Sequence, residues 1–162
     1  MGWHEAYLVQ ARSEYAVLKK LGDLNVEYSH RLHYLQMLTE KLSKAMQTPP
    51  GKRAPAPMTH VMFVQMLQAL INWPEMRRRL GYDRPSVFRE YTRSLLDVAR
   101  SIERLSPDIA GLTQPNPEYP WEDRGANRVW APAEFDFQQF DPKAPRMAKI
   151  AKLVDDLIVA AY

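Results

Sequence analysis

The chain has 162 residues, 46% of them hydrophobic and 25% charged, with no cysteine and a net charge of +3. A chain of this length buries roughly 70% of its unfolded surface, so it needs no metal or disulfide to hold a core. Whole-chain disorder and a disulfide framework are both excluded. No apolar run approaches the ~20 residues of a membrane span and no basic-then-apolar leader opens the chain, so a cytoplasmic location without a membrane anchor is expected.

The charge is unevenly spread. Residues 77–106 hold eight arginines against four acids, whereas residues 107–141 hold seven acids against two arginines. A basic segment of this kind attracts nucleic acid or phosphate. The plainer reading is that the two stretches neutralise one another within one fold.

In chain order, the first helix is expected from Trp3 to Leu21, with Leu8, Ala11, Tyr15 and Leu18 on one face and Gly22-Asp23 as its stop. A short link then predicts an antiparallel second helix. Tyr28, Leu32, Leu35, Thr39, Leu42 and Met46 form its seam, Glu40 and Lys44 an i,i+4 ion pair, and Thr48-Pro49-Pro50-Gly51 its end. Residues 48–58 read as a proline-rich loop. Thr59 is placed to cap a third helix from His60 to about Trp73, apolar nearly all round and therefore central. An arginine-rich turn over 75–80 stops at Gly81. Pro85 opens a fourth helix whose buried stripe runs through Phe88, Tyr91, Leu95, Val98 or Ala99, Ile102 and Leu105, and which ends before Pro107. Residues 107–142 are too rich in aromatics for a disordered linker, so they are expected to wrap the helices and bury their rings. Residues 129–131 and 134–137 are the candidates there for short extended pieces. Pro145 opens a last helix with Met147, Ile150, Leu153, Val154, Leu157 and Ile158 on one side.

Three constellations bear on chemistry. His30 and His33 stand one helical turn apart, a spacing that holds a metal only with further ligands. His4, Glu5 and His60 are the candidates, but no carboxylate is placed by spacing to complete a set, and a boundary histidine pair is commoner. Arg89, Arg93, Arg100 and Arg104 follow a 4-7-4 spacing along one face of the fourth helix, with Arg77, Arg78, Arg79 and Arg84 upstream. Such a face tracks a phosphate backbone, unless Glu90, Asp97 and Glu103 neutralise it locally. Glu118, Glu122, Asp123, Glu134 and Asp136 crowd the segment before the last helix, where turn-forming acids are more usual than an acid–base pair. There is no glycine-rich phosphate loop and no serine or cysteine nucleophile in a recognisable context.

The stretch Ser29-His30-Arg31-Leu32-His33-Tyr34-Leu35-Gln36-Met37-Leu38-Thr39-Glu40-Lys41-Leu42-Ser43-Lys44-Ala45 resembles the second helix of HEPN domains (higher eukaryotes and prokaryotes nucleotide-binding), in its aromatic, its glutamine and its Glu-Lys-x-x-Lys-Ala run. The preceding helix with Ala11, Tyr15 and Leu18 fits as well, and the resemblance covers roughly residues 3–106. The segment Asn116-Pro117-Glu118-Tyr119-Pro120-Trp121-Glu122 resembles a tail found in some bacterial proteins of this kind. The resemblance implies an antiparallel four-to-five-helix bundle, frequently dimeric. It also implies RNA or nucleotide binding, and in many members metal-independent RNA cleavage within defence, CRISPR or toxin–antitoxin systems. Active members carry an Arg-x4-6-His motif near the start of the last bundle helix. Here no histidine follows His60, so the fourth helix cannot supply it. Arg53 and His60 match the spacing, with Pro55 and Pro57 between them.

The chain is therefore expected to be all-α: one helical domain over 1–162, with a bundle core at 3–106, a long aromatic- and proline-rich wrap at 107–142 and a C-terminal helix at 143–161. A HEPN-like module that binds RNA or a nucleotide without cleaving it, as a homodimer, is the leading expectation. Lys52, Arg53, Arg89, Arg93, Arg100 and Arg104 would contact phosphates, and no metal or cofactor is called for. The alternatives are an endoribonuclease using Arg53 and His60, and a structural subunit that docks on a partner protein.

Overall fold

The computed structural model describes residues 1–51, 54–57 and 59–161. Among them the chain is mostly helical, with eight α-helices and one two-stranded hairpin. Helices α1 (Trp3–Gly22) and α2 (Tyr28–Gln47) lie side by side. His4, at the start of α1, hydrogen-bonds the Ala45 and Thr48 carbonyls at the end of α2. At the opposite end Gly22 lies beside Arg31. The two helices are thus antiparallel, as their short link requires. The α2 seam buries Leu32, Leu35, Thr39 and Leu42, and Tyr28 and Met46 pack partly buried against the core.

Helix α3 (Met62–Ile71) is central, in contact with α2, with α4 (Pro74–Arg79), with α5 (Pro85–Arg93) and with α6 (Leu96–Glu103). It starts two residues later than the sequence pattern predicts. Thr59 Oγ1 accepts only from the Val61 N–H, at 3.3 Å. The free N–H of Val64, in the first turn, is satisfied instead by the Glu103 carboxylate at 2.9 Å, a cap supplied from another helix. The arginine-rich turn is the short helix α4. Gly81 (φ +78°) closes it, with its N–H on the Arg78 carbonyl and the Tyr82 N–H on the Arg77 carbonyl.

The expected fourth helix is two helices. Its buried stripe is as predicted, but Ser94 and Leu95 interrupt it. The Leu95 N–H bonds back three residues to Thr92 rather than four. Thr92 and Ser94 hydroxyls bond the Phe88 and Tyr91 carbonyls, the kind of side-chain competition that bends a helix. The break lets both pieces face α3 and leaves Leu95 buried.

The 107–142 segment carries more local structure than a loop. It opens with α7 (Pro107–Ala110), then forms an antiparallel hairpin of β1 (Trp121–Asp123) and β2 (Arg128–Trp130), with Trp121 paired to Trp130. The extended piece expected at 129–131 thus falls on β2. The piece expected at 134–137 is no strand: Phe135 is locally extended but pairs with no neighbour, and single 3₁₀ turns flank it. Trp121, Phe137 and Phe140 lie in the same buried cluster as the helices. Asn116, fully buried, accepts the Glu118 and Tyr119 N–H groups through its side chain. Helix α8 (Pro145–Ala160) buries Met147, Ile150, Leu153, Val154, Leu157 and Ile158, the face predicted from sequence.

Phe140 is 0% exposed, and its carbonyl accepts a hydrogen bond from the Tyr28 hydroxyl. Phe140→Ala should cost about 3–5 kcal/mol of unfolding free energy in a urea titration. A cost below about 1 kcal/mol would contradict the burial of this segment.

Candidate functional site

Two groups of charged side chains stand out, one around Glu40 on α2 and one on α5 and α6. The first centres on Glu40, whose side chain is only 2% exposed. An isolated carboxylate at such a depth would take up a proton or unfold its surroundings. Here Lys44 Nζ donates to Oε1 at 2.7 Å and Lys41 Nζ at 2.9 Å, while His60 Nδ1 donates to Oε2 at 2.5 Å. Burial pushes the Glu40 carboxyl up, but the hydrogen bonds from Lys44, Lys41 and His60 outweigh it and hold the group down at about 2. The i,i+4 pair expected from Glu40 and Lys44 is therefore one arm of a larger cluster.

His60 faces a second carboxylate. Its Nε2 lies 2.7 Å from Asp108, in α7. The imidazole is one-third exposed and the Asp108 side chain is 77% exposed, so one nitrogen is held from inside and the other at the surface. The cluster ties α2, the segment before α3, and α7 together. The Ser106 hydroxyl, at the N-cap of α7, is buried without a hydrogen-bond partner among the described residues.

The second group is the basic face. Arg89 and Arg93 stand on α5, Arg100 in the last turn of α6 and Arg104 at its C-cap, all exposed. Because Ser94 and Leu95 divide the helix, the 4-7-4 spacing describes two pairs rather than one continuous face. Among the described residues the acids expected to neutralise them form one ion pair, Asp97 with Arg100 at 2.8 Å. Glu103 is buried and turned to the start of α3, where burial raises its carboxyl and the backbone N–H groups of Val64 and Phe63 pull it back. Arg89, Arg93 and Arg104 have no ion pair among the described residues.

The other expected residues are dispersed. Lys52 and Arg53 lie outside the described residues. His30 faces Glu27 at 3.7 Å, His33 faces Glu118 at 3.6 Å, and His4 is engaged at the end of α2. Among the described residues no group of three or more His, Asp or Glu is placed to hold a metal ion. Of the acids at 118–136, Glu122 pairs with Arg124 and Glu134 with Arg128. Sequence reasoning missed Asp108 and the roles of Glu40 and Glu103. The one available signal was the i,i+4 spacing of Glu40 and Lys44. No family model matches the chain, and no curated protein or solved structure matches it either.

The Glu40 shift carries a pH dependence of known sign. A carboxyl lowered from 4.5 to about 2 contributes stability that is complete above 4.5 and lost as pH falls towards 2. Glu40→Gln should cost about 2–4 kcal/mol at pH 7. The difference from wild type should shrink by up to about 3 kcal/mol between pH 7 and pH 2 in urea titrations. A difference that does not change with pH would show that Glu40 is not held charged by this cluster.

Proposed function

We propose that the chain binds RNA or a nucleotide through the basic surface of α5 and α6, as a HEPN-like module that works as a homodimer in the cytoplasm. The proposed frame is an antiparallel four-to-five-helix bundle with an aromatic C-terminal wrap. The observation that carries the reading is the unmatched charge of Arg89, Arg93 and Arg104, exposed and without acidic partners among the described residues. Guanidinium groups so placed offer forked donors to phosphate oxygens. Glu103, the acid best placed by sequence to quench them, is committed to the start of α3. Lys52 and Arg53 join this proposal from sequence alone. A role in bacterial defence or in a toxin–antitoxin pair extends the same resemblance.

Arg93→Glu should weaken binding to a labelled mixed-sequence single-stranded RNA about tenfold. It should also lower the slope of log affinity against log salt by about 1. Fluorescence anisotropy across a salt series measures both, and an unchanged affinity and slope would refute the assignment.

A second reading, metal-independent RNA cleavage, draws on the way buried Glu40 orients His60 at a partly exposed position, as an acid orients a catalytic imidazole. Asp108, itself exposed, is the partner a substrate would displace. His60→Asn keeps a donor towards Glu40 but removes the acid–base group. It should abolish cleavage of the same RNA in EDTA while shifting the melting temperature by only a few degrees. Cleavage that survives the substitution would eliminate His60 as the catalytic group.

A further inference from the structure

A pocket of about 280 Å³ opens between α1, α2 and α8, away from the basic face and from His60. Leu18, Leu35, Met147 and Val154 are among its walls. Its size lies just below the ~300 Å³ at which ordinary ligand pockets begin, which limits an occupant to a small molecule.

Four charged side chains line it: Lys19, Asp23, Arg31 and Asp155. Lys19 and Asp155 are joined at 3.0 Å across the rim and satisfy each other. Arg31 has no ion pair among the described residues, and no salt bridge joins it to Asp23. Its Nε is buried and lacks a hydrogen-bond partner. Among the described residues its ring contact is with Tyr28, whose centroid lies 5.5 Å from the guanidinium carbon. A buried donor left unmade costs free energy. A guanidinium edge offers two parallel N–H donors, the complement of a carboxylate.

We propose that this pocket binds a small organic monocarboxylate with an apolar body, anchored by Arg31. The apolar walls take the body and the Arg31 fork takes the carboxylate. Asp23 beside Arg31 on the lining disfavours a dianion, which separates this site from the phosphate-binding surface proposed for α5 and α6.

The probe is 3-phenylpropionate, with 3-phenylpropan-1-ol as its uncharged counterpart, titrated into the full chain and followed by heteronuclear NMR shifts. Wild type should bind the acid saturably, with shifts confined to residues of α1, α2 and α8. The alcohol should bind at least tenfold more weakly, and Arg31→Leu should weaken the acid by a similar factor. Ala151→Phe, at an exposed position on the pocket wall, should fill the space and abolish binding while the protein stays folded. Absence of saturable binding, equal affinity for acid and alcohol, or an unaffected Ala151→Phe variant would overturn the proposal. If Arg31→Leu fails to fold, the acid–alcohol comparison and Ala151→Phe decide it.

Discussion

A carboxylate with almost no contact with water must be surrounded by donors, and Glu40 imposes that requirement on three parts of the chain. Lys41 and Lys44 come from its own helix. His60 comes from the segment before α3, and through His60 the exposed Asp108 fixes α7. The position of α3 follows, because its first turn begins two residues after His60 and receives its cap from Glu103 on α6. Two buried carboxylates, Glu40 and Glu103, thus hold α2, α3, α6 and α7 together. Removing a single partner from such a cluster is costly because the remaining charge stays buried.

The same commitment of acids inside the fold shapes the outside. The stretch from 97 to 108 contains Asp97, Glu103 and Asp108. One faces an arginine, one caps a helix and one faces a histidine. Arginines that are balanced on paper are therefore unbalanced in space. A sequence sum of charges treats each acid as equally available, whereas burial and backbone donors withdraw some of them from the surface.

Much of the helical framework was legible from periodicity and punctuation. The face of α8 follows from six apolar positions after Pro145, and the end of α2 from Thr48-Pro49-Pro50. Three features were not legible, each for a physical reason. The division between α5 and α6 arises from i−4 and i−3 hydroxyl bonding at Thr92 and Ser94, which leaves the apolar stripe intact and so leaves no mark in the pattern. The start of α3 depends on Glu103, about 40 residues away, and a cap of that range has no local signature. The hairpin at Trp121–Trp130 is three residues per strand, too short for alternation to register. Of the candidate site, the arginines were visible by type and spacing, and His60 by its place after the proline-rich loop. Its two carboxylate partners come from distant positions and were not. Arg31 was read only as part of a helix resemblance; its lack of an ion-pair partner is a tertiary property.

The coupling between Glu40 and His60 organises this end of the fold. A double-mutant cycle of Glu40→Gln and His60→Ala, read as urea unfolding free energies at pH 7, isolates that pair. A coupling of about 1–3 kcal/mol is predicted for a charge-assisted bond to a buried carboxylate. Additive single-mutant effects, with a coupling indistinguishable from zero, would contradict it: His60 would then be placed by packing alone, and Glu40 would not be the group that organises this end of the fold.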